Sequence, residues 1–114
     1  MPLIDAGVVA TCAILDIEAL QNAPNSAAVN RVITDRAGLR RLSMQDEVWD
    51  QVLGTQARLS HAGRRHAVDV VDLVVAAVAS HHGATLLHYD RDFDAIAEIT
   101  GQPTEWVVPS GSIP

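Results

Sequence analysis

The segment Val70–Ser80 constrains the fold of this chain more than any other part of its sequence. It is almost wholly apolar apart from Asp72, and Gly83 follows it at a position where helices commonly end. This pattern predicts a helix that is buried on most of its sides. The next residues, Thr85–Tyr89, have the composition of a strand. We therefore expect a buried helix followed directly by a strand.

The rest of the chain continues this alternation of strands and helices. We predict a strand in Val8–Ala13 and a helix in Ile14–Asn22. A second helix runs from a cap at Asn25 or Ser26 to about Ala37, and a third runs from the capping-box variant Ser43–Asp46 to about Ala62. A last helix is opened by Asp90–Phe93 and ended by Gly101, and a last strand follows in Glu105–Val108. Gly38 stands where a left-handed residue favours the end of a helix. The alternation indicates an α/β fold with a mostly parallel central sheet and helices on both faces. The 114 residues are enough for one domain and too few for two, so we expect a single domain over residues 1–114.

Composition narrows the classes of function. The chain has 14 acidic and 8 basic residues, all of the latter arginine, and its net charge of −6 argues against a protein that coats nucleic acid non-specifically. Any contact with nucleic acid must therefore be local. Cys12 is the lone cysteine, which excludes an intrachain disulfide and a thiolate zinc cluster, and its apolar surroundings favour burial. No apolar run approaches the roughly 18 residues of a membrane-spanning helix, and we expect a cytoplasmic protein.

Three carboxylates can meet at one edge of such a sheet. Glu18 lies about one turn into the first helix, Asp72 opens the buried helix, and Asp90 ends the strand before the last helix. Strand carboxyl ends and the starts of the following helices share one rim, where the ligands of parallel sheets gather. Clustered carboxylates need a cation, and an oxygen-only ligand set suits Mg²⁺ or Mn²⁺ better than zinc. Such a site is hydrolytic, because the metal lowers the pKa of a water and stabilises the leaving oxygen of a phosphodiester.

Each carboxylate also has an ordinary structural explanation. Asp72 and Asp90 can cap the helices that follow them. Asp92 and Asp94 stand in the first turn of the last helix, where the helix dipole favours negative charge. Glu18 taken alone is an exposed helix residue. Individually, none of these residues establishes a metal site.

Two motifs separated by eighteen positions resemble a known signature. Asp72 is followed by Leu-Val-Val-Ala-Ala, and Asp90 is followed by Arg-Asp-Phe. The pair resembles the signature of the PIN-domain family, the fold of VapC-type toxins. In that family an aspartate opens an aliphatic-alanine helix, and a second acidic motif ends the next strand.

The resemblance extends upstream. The segment Val9–Ala13 leading to Ile17–Leu20 is similar to the strand and helix that present the family's glutamate. Over about Leu3 to Val108 the resemblance implies a PIN-like three-layer fold. It also implies a set of metal ligands, namely Glu18, Asp72 and Asp90 as catalytic ligands and Asp92 as a fourth candidate.

The resemblance implies an activity and partners as well. Family members are Mg²⁺-dependent endoribonucleases, most often the toxin of a toxin–antitoxin pair, so the implied partners are an RNA substrate, a small antitoxin and a second copy in a homodimer. An arginine of an antitoxin can block an acidic pocket by a bidentate pair with its carboxylates. For RNA phosphates the candidates are Arg91 first, then Arg64 and Arg65, with Arg40 and Arg41 also available.

The sequence departs from the family pattern at its beginning. Family members start with a strand that ends in an aspartate, roughly thirty residues before the glutamate. Asp5 imitates that motif, but only thirteen positions separate it from Glu18. We therefore expect a PIN-like domain that is incomplete at its N-terminus and lacks the usual first strand and first aspartate. Because that strand is central in the family, its neighbours should expose unpaired backbone unless a separate strand or a dimer closes the gap. His88 replaces the family's usual threonine near the metal.

These observations lead to one function and two alternatives. The leading hypothesis is a metal-dependent endoribonuclease of the PIN-domain type. The second is a catalytically inactive PIN-domain remnant that binds an antitoxin or self-associates. The third is a phosphoacceptor receiver-like domain, which also gathers aspartates at strand ends. Such domains rely on a lysine beside the acidic pocket, and this chain has no lysine.

Overall fold

In a computed structural model of the chain, residues 3–88, 91–100, 102 and 104–106 are described, with side chains for residues 3–86, 95–100 and 102. Five strands and five helices are formed in these residues: β1 (Leu3–Asp5), β2 (Val8–Thr11), α1 (Ala13–Gln21), α2 (Ser26–Ala37), β3 (Arg40–Arg41), α3 (Asp46–His61), α4 (Val70–His82), β4 (Thr85–His88), α5 (Arg91–Thr100) and β5 (Thr104–Trp106). The predicted α/β alternation is confirmed.

The strands form one sheet in the order β3-β2-β1-β4-β5. The strand pairs β2–β3 and β4–β5 are parallel, whereas β1 is antiparallel to both β2 and β4. Four of the five strands therefore run in the same direction, and the predicted mostly parallel sheet is confirmed.

The centre of the sheet corrects one expectation. We predicted that the strands on either side of the family's first strand would expose unpaired backbone. Instead, β1 lies between them, and Leu3 is opposite Ala10 of β2 on one side and opposite Leu86 of β4 on the other. The residues Ala6 and Gly7 connect β1 to β2 with φ angles of 52° and 80°. Both residues have positive φ, as a two-residue type I′ hairpin turn requires.

The buried helix predicted from residues 70–80 is the centre of the core. Seven consecutive residues of α4, Leu73 to Ala79, are buried, and Gly83 ends the helix in the left-handed conformation with φ 66°. The helix α4 packs against α1, α3, α5 and β4. Leu3, Leu59 and Leu86 belong to the same apolar cluster. Cys12 is fully buried as predicted, and burial raises the pKa of its thiol.

Only some of the predicted helix ends are confirmed by the structure. The side chain of Asn25 accepts a hydrogen bond from the Ala28 amide at 2.9 Å, which confirms the predicted cap of α2. Gly38 follows α2 but has a φ of −82°, so the predicted left-handed end is wrong there. The predicted capping box before α3 is also wrong, because the helix begins after Gln45 with no hydrogen bond from a capping side chain.

Candidate active site

The carboxyl ends of the parallel strands define the edge where the sequence predicts a site. Thr11 ends β2, Arg41 ends β3 and His88 ends β4. Because β1 runs the opposite way, its first residue Leu3 lies toward this edge, and Asp5 is opposite Val8 at the start of β2. Asp5 also pairs with Arg40, with Oδ2 and Nε 3.1 Å apart. Asp5 is therefore at the far end of the sheet from the predicted site, in agreement with its interpretation as an imitation of the family motif.

Asp72 lies in the first turn of α4. Only Gly83 and Ala84 separate α4 from β4, and the two elements are in contact, so α4 runs back along the sheet and its first turn reaches the carboxyl edge. The alternative interpretation of Asp72 as a helix cap is wrong, because Asp69 occupies the cap position and Asp72 is inside the helix. Its side chain is half-buried.

Glu18 is half-buried in α1, the helix that follows β2 directly. Asp90 lies outside the described residues, and so do the side chains of Asp92 and Arg91. Within the side chains that the structure describes, no three His, Cys, Asp or Glu residues are arranged to hold a metal ion. The predicted set of metal ligands, which needs Asp90, therefore stays a prediction. Its chemistry is that of carboxylate oxygens, which is the ligand type that Mg²⁺ and Mn²⁺ prefer.

The predicted RNA contacts near α3 have a different setting. Arg64 Nη1 pairs with Glu98 Oε2 at 3.0 Å, and both side chains are well exposed. Arg65 is exposed beside it. An exposed pair of this kind adds little stability and leaves the guanidinium accessible to solvent. The prediction that these two arginines contact RNA is not altered by this geometry.

Sequence reasoning missed a cluster at the carboxyl edge, formed by Thr11, Asp16, Arg36 and Arg41, which we call the Asp16 cluster. Asp16 Oδ1 lies 2.6 Å from Arg36 Nε, and Asp16 Oδ2 lies 2.6 Å from Arg41 Nη2. The hydroxyl of Thr11 donates to Asp16 Oδ1 at 2.9 Å and accepts from Arg36 Nη2 at 2.6 Å. The cluster therefore joins the ends of β2 and β3 to the first turn of α1 and the last turn of α2.

Asp16 is held as a carboxylate. Burial alone would raise its pKa, but the hydrogen bonds from Arg36, Thr11 and Arg41 and the charge of Arg36 outweigh burial, so the pKa of Asp16 lies below its ordinary value. The available signal was the position of Asp16 in a first helical turn directly after a strand whose last two residues are buried. Its arginine partners lie 20 and 25 positions away, so they were not recognisable from local patterns.

A cavity of about 180 Å³ opens beside the Asp16 cluster. Its wall combines the three charged side chains with apolar residues of α1 and α2, among them Leu20, Val32 and Ile33. The side chain of Arg41 is 63% exposed, whereas that of Arg36 is 26% exposed and that of Asp16 is 13% exposed. Arg41 is therefore accessible to solvent, whereas Arg36 is mostly covered.

Comparisons with known proteins agree with the family that the sequence resembles. The PIN domain family matches residues 2–99. Ribonuclease VapC21 of Mycobacterium tuberculosis is 39% identical over 112 residues, which are 97% of this chain and 81% of that protein. Ribonuclease VapC51 of the same organism is 38% identical over 112 residues, or 98% of this chain and 81% of that protein. Ribonuclease VapC18, also of M. tuberculosis, is 35% identical over 112 residues, covering 96% of this chain and 82% of that protein.

None of the described helices is both long and apolar enough to cross a bilayer.

The predicted family is confirmed by the match over residues 2–99, by the α/β fold and by relatives that align with nearly the whole chain. The chain belongs to the PIN domain family.

Proposed function

We propose that this chain is a metal-dependent endoribonuclease of the VapC toxin type, acting in the cytoplasm. The observation that carries the proposal is its similarity, along nearly its whole length, to three proteins named as ribonucleases. The position of Asp72 in the first turn of α4, at the carboxyl edge of the sheet, supports the same function. The ligands of open α/β sheets bind at the carboxyl ends of the strands, which is where this aspartate lies.

The residues proposed to hold the metal are Glu18, Asp72 and Asp90, with Asp92 as a fourth candidate. A bound Mg²⁺ or Mn²⁺ supplies a water of lowered pKa and stabilises the negative charge that develops on a phosphodiester during hydrolysis. The protein's part is to hold carboxylates on separate, rigidly packed elements. Asp72 is carried by α4, which has seven consecutive buried residues, and Glu18 is carried by a helix that packs against α4. A packed helix holds each of these two ligands in a more constant position than a loop would.

Electrostatics shape the binding of the substrate. The net charge of −6 repels RNA from most of the surface, so phosphates must be received at local groups of arginines. Arg91, Arg64 and Arg65 are the groups predicted from the sequence. The proposed protein partners are a small antitoxin and a second copy of the chain.

The alternative function, an inactive binding module, makes a different prediction for the same protein. A direct test is the cleavage of a structured RNA by the purified 114-residue chain with Mg²⁺ and with a chelator in its place. We expect cleavage only with the metal, and we expect Asp72→Asn to reduce it by about a hundredfold, the upper end of the losses seen when residues around a metal site are changed. The matched control is Asp50→Asn, which makes the same change at an exposed position of α3.

The outcomes separate the two functions. Metal-dependent cleavage that Asp72→Asn removes and Asp50→Asn retains supports the nuclease. Folded protein that shows no cleavage with Mg²⁺ or Mn²⁺ supports the inactive module. Cleavage that persists in a chelator, or that Asp72→Asn leaves unchanged, would mean that another site or a contaminant cuts the RNA.

A further inference from the structure

From the Asp16 cluster we infer that Arg41, supported by Arg36 and Asp16, contacts a backbone phosphate of the RNA substrate. This inference rests on the proposed function and assigns part of its substrate-binding surface. Arg41 is a residue of β3, and it lies opposite Thr11 at the carboxyl end of β2. It is therefore at the same edge of the sheet as the predicted metal ligands.

The distance along that edge suits a single RNA strand. In the order β3-β2-β1-β4, Arg41 is separated from the end of β4 by three strand spacings, or ~14 Å. A strand of RNA that places one phosphate at the predicted metal site can pass over the end of β2 and bring another phosphate to Arg41.

The charge balance of the cluster favours an anion. Asp16 contributes one negative charge, and Arg36 and Arg41 contribute two positive charges, so the cluster carries one positive charge in a protein whose net charge is −6. The buried carboxylate is shared between both arginines, and Arg41 uses only its Nη2 on Asp16. Its remaining N–H groups are the donors proposed for the phosphate, because a guanidinium can bind a phosphate by two parallel hydrogen bonds.

The cluster also fixes the position of Arg41 before RNA binds. An arginine that must be ordered on binding loses side-chain entropy, and this loss weakens the contact. Asp16 accepts a hydrogen bond from the Arg41 guanidinium, and Arg36 and Thr11 donate hydrogen bonds to Asp16. Two of these residues, Thr11 and Arg41, belong to strands of the sheet. In this arrangement Arg41 is the binding residue, while Asp16 and Arg36 are positioning residues.

The test is RNA binding measured by fluorescence anisotropy, with a short labelled single-stranded RNA and a chelator that prevents hydrolysis. Arg41→Gln should weaken binding about tenfold, since it removes a charged hydrogen-bonding group. Between about 50 and about 200 mM salt, it should reduce the slope of log affinity against log salt by about 0.7, the value for one contact to a single strand. Arg41→Lys keeps the charge and should retain most of the salt slope while losing part of the affinity.

The matched control is Arg31→Gln, which removes the same charge from an exposed position on α2. It should weaken RNA binding far less than Arg41→Gln. Urea unfolding of both variants shows whether they are folded, and an acidic peptide of aspartate and glutamate serves as a competing probe.

The possible results separate as follows. Loss of affinity and salt slope in Arg41→Gln, with Arg31→Gln close to the unsubstituted protein, supports it. Equal effects of the two substitutions would overturn it, because they would show a general effect of charge. Binding of the acidic peptide that depends on Arg41, with RNA binding that does not, would also overturn it and indicate a protein partner. If the unsubstituted chain binds no RNA, both this inference and the proposed function fail, whereas RNA binding that is insensitive to Arg41 leaves the proposed function intact.

Discussion

Arg36 Nε lies 2.6 Å from Asp16 Oδ1, and this contact joins the last turn of α2 to the first turn of α1. The same carboxylate binds Arg41 of β3, and Thr11 of β2 donates to it. One largely buried aspartate therefore connects four elements at the carboxyl edge of the sheet. We therefore expect this residue to contribute to the stability of the domain, whether or not it takes part in function.

Asp16→Asn should destabilise the protein by about 2 kcal/mol at neutral pH, because it leaves the partly buried Arg36 without its charged partner. The pKa of Asp16 is lowered in the folded state, so its stabilisation is fully present above the unfolded value of about 3.9 and is lost as the pH falls through the folded value. The difference between the two proteins should therefore shrink in acid.

Urea unfolding between neutral pH and about pH 3 measures this dependence. The control is Asp35→Asn, an exposed residue of α2, which should change the free energy of unfolding by less than about 0.5 kcal/mol. A stability of Asp16→Asn equal to that of the unsubstituted chain at neutral pH would contradict the role given to the cluster.

Leu3→Ala tests whether β1 fills the centre of the sheet in solution. Leu3 is fully buried between Ala10 and Leu86, so the substitution should cost about 2 to 4 kcal/mol in the free energy of unfolding. The control Val8→Ala, on a side chain that is 50% exposed in the adjacent strand, should cost less than about 1 kcal/mol. Similar costs for both substitutions would show that β1 is not packed in the sheet.

The turn between β1 and β2 allows a substitution that should stabilise the protein. Ala6 has a φ of 52°, a conformation that is unfavourable for alanine and better tolerated by asparagine. Ala6→Asn should raise the free energy of unfolding by about 0.5 kcal/mol. Thermal unfolding measures the change, and a lower midpoint for Ala6→Asn would argue against the hairpin turn.

Much of the fold could be predicted from the sequence because its strongest signals are local. The apolar run around Val75, the cap at Asn25 and the left-handed Gly83 each depend on neighbouring residues, and each was found in the structure. The strand β1 was missed as a strand because it has three residues, and Ala6-Gly7 is not one of the common hairpin turn sequences.

The site was predicted less completely, for a physical reason. Glu18 and Asp72 were selected through motifs, and they lie in α1, which follows β2 directly, and in the first turn of α4. Asp16 was passed over because its importance comes from Arg36 and Arg41, which reach it only after α2 and β3 have folded back onto α1. Contacts of that kind carry no periodic or motif signal in one sequence.

The most direct test of the central claim is Mn²⁺ binding, measured by calorimetry on the purified chain and on three variants. We predict binding by the unsubstituted protein, loss of binding in Asp72→Asn and Asp90→Asn, and binding unchanged in Asp50→Asn. That result would establish that the two predicted aspartates belong to one metal site. Binding that survives both Asp72→Asn and Asp90→Asn, or a folded chain that binds no Mn²⁺, would contradict the claim that these carboxylates form the metal centre of a nuclease.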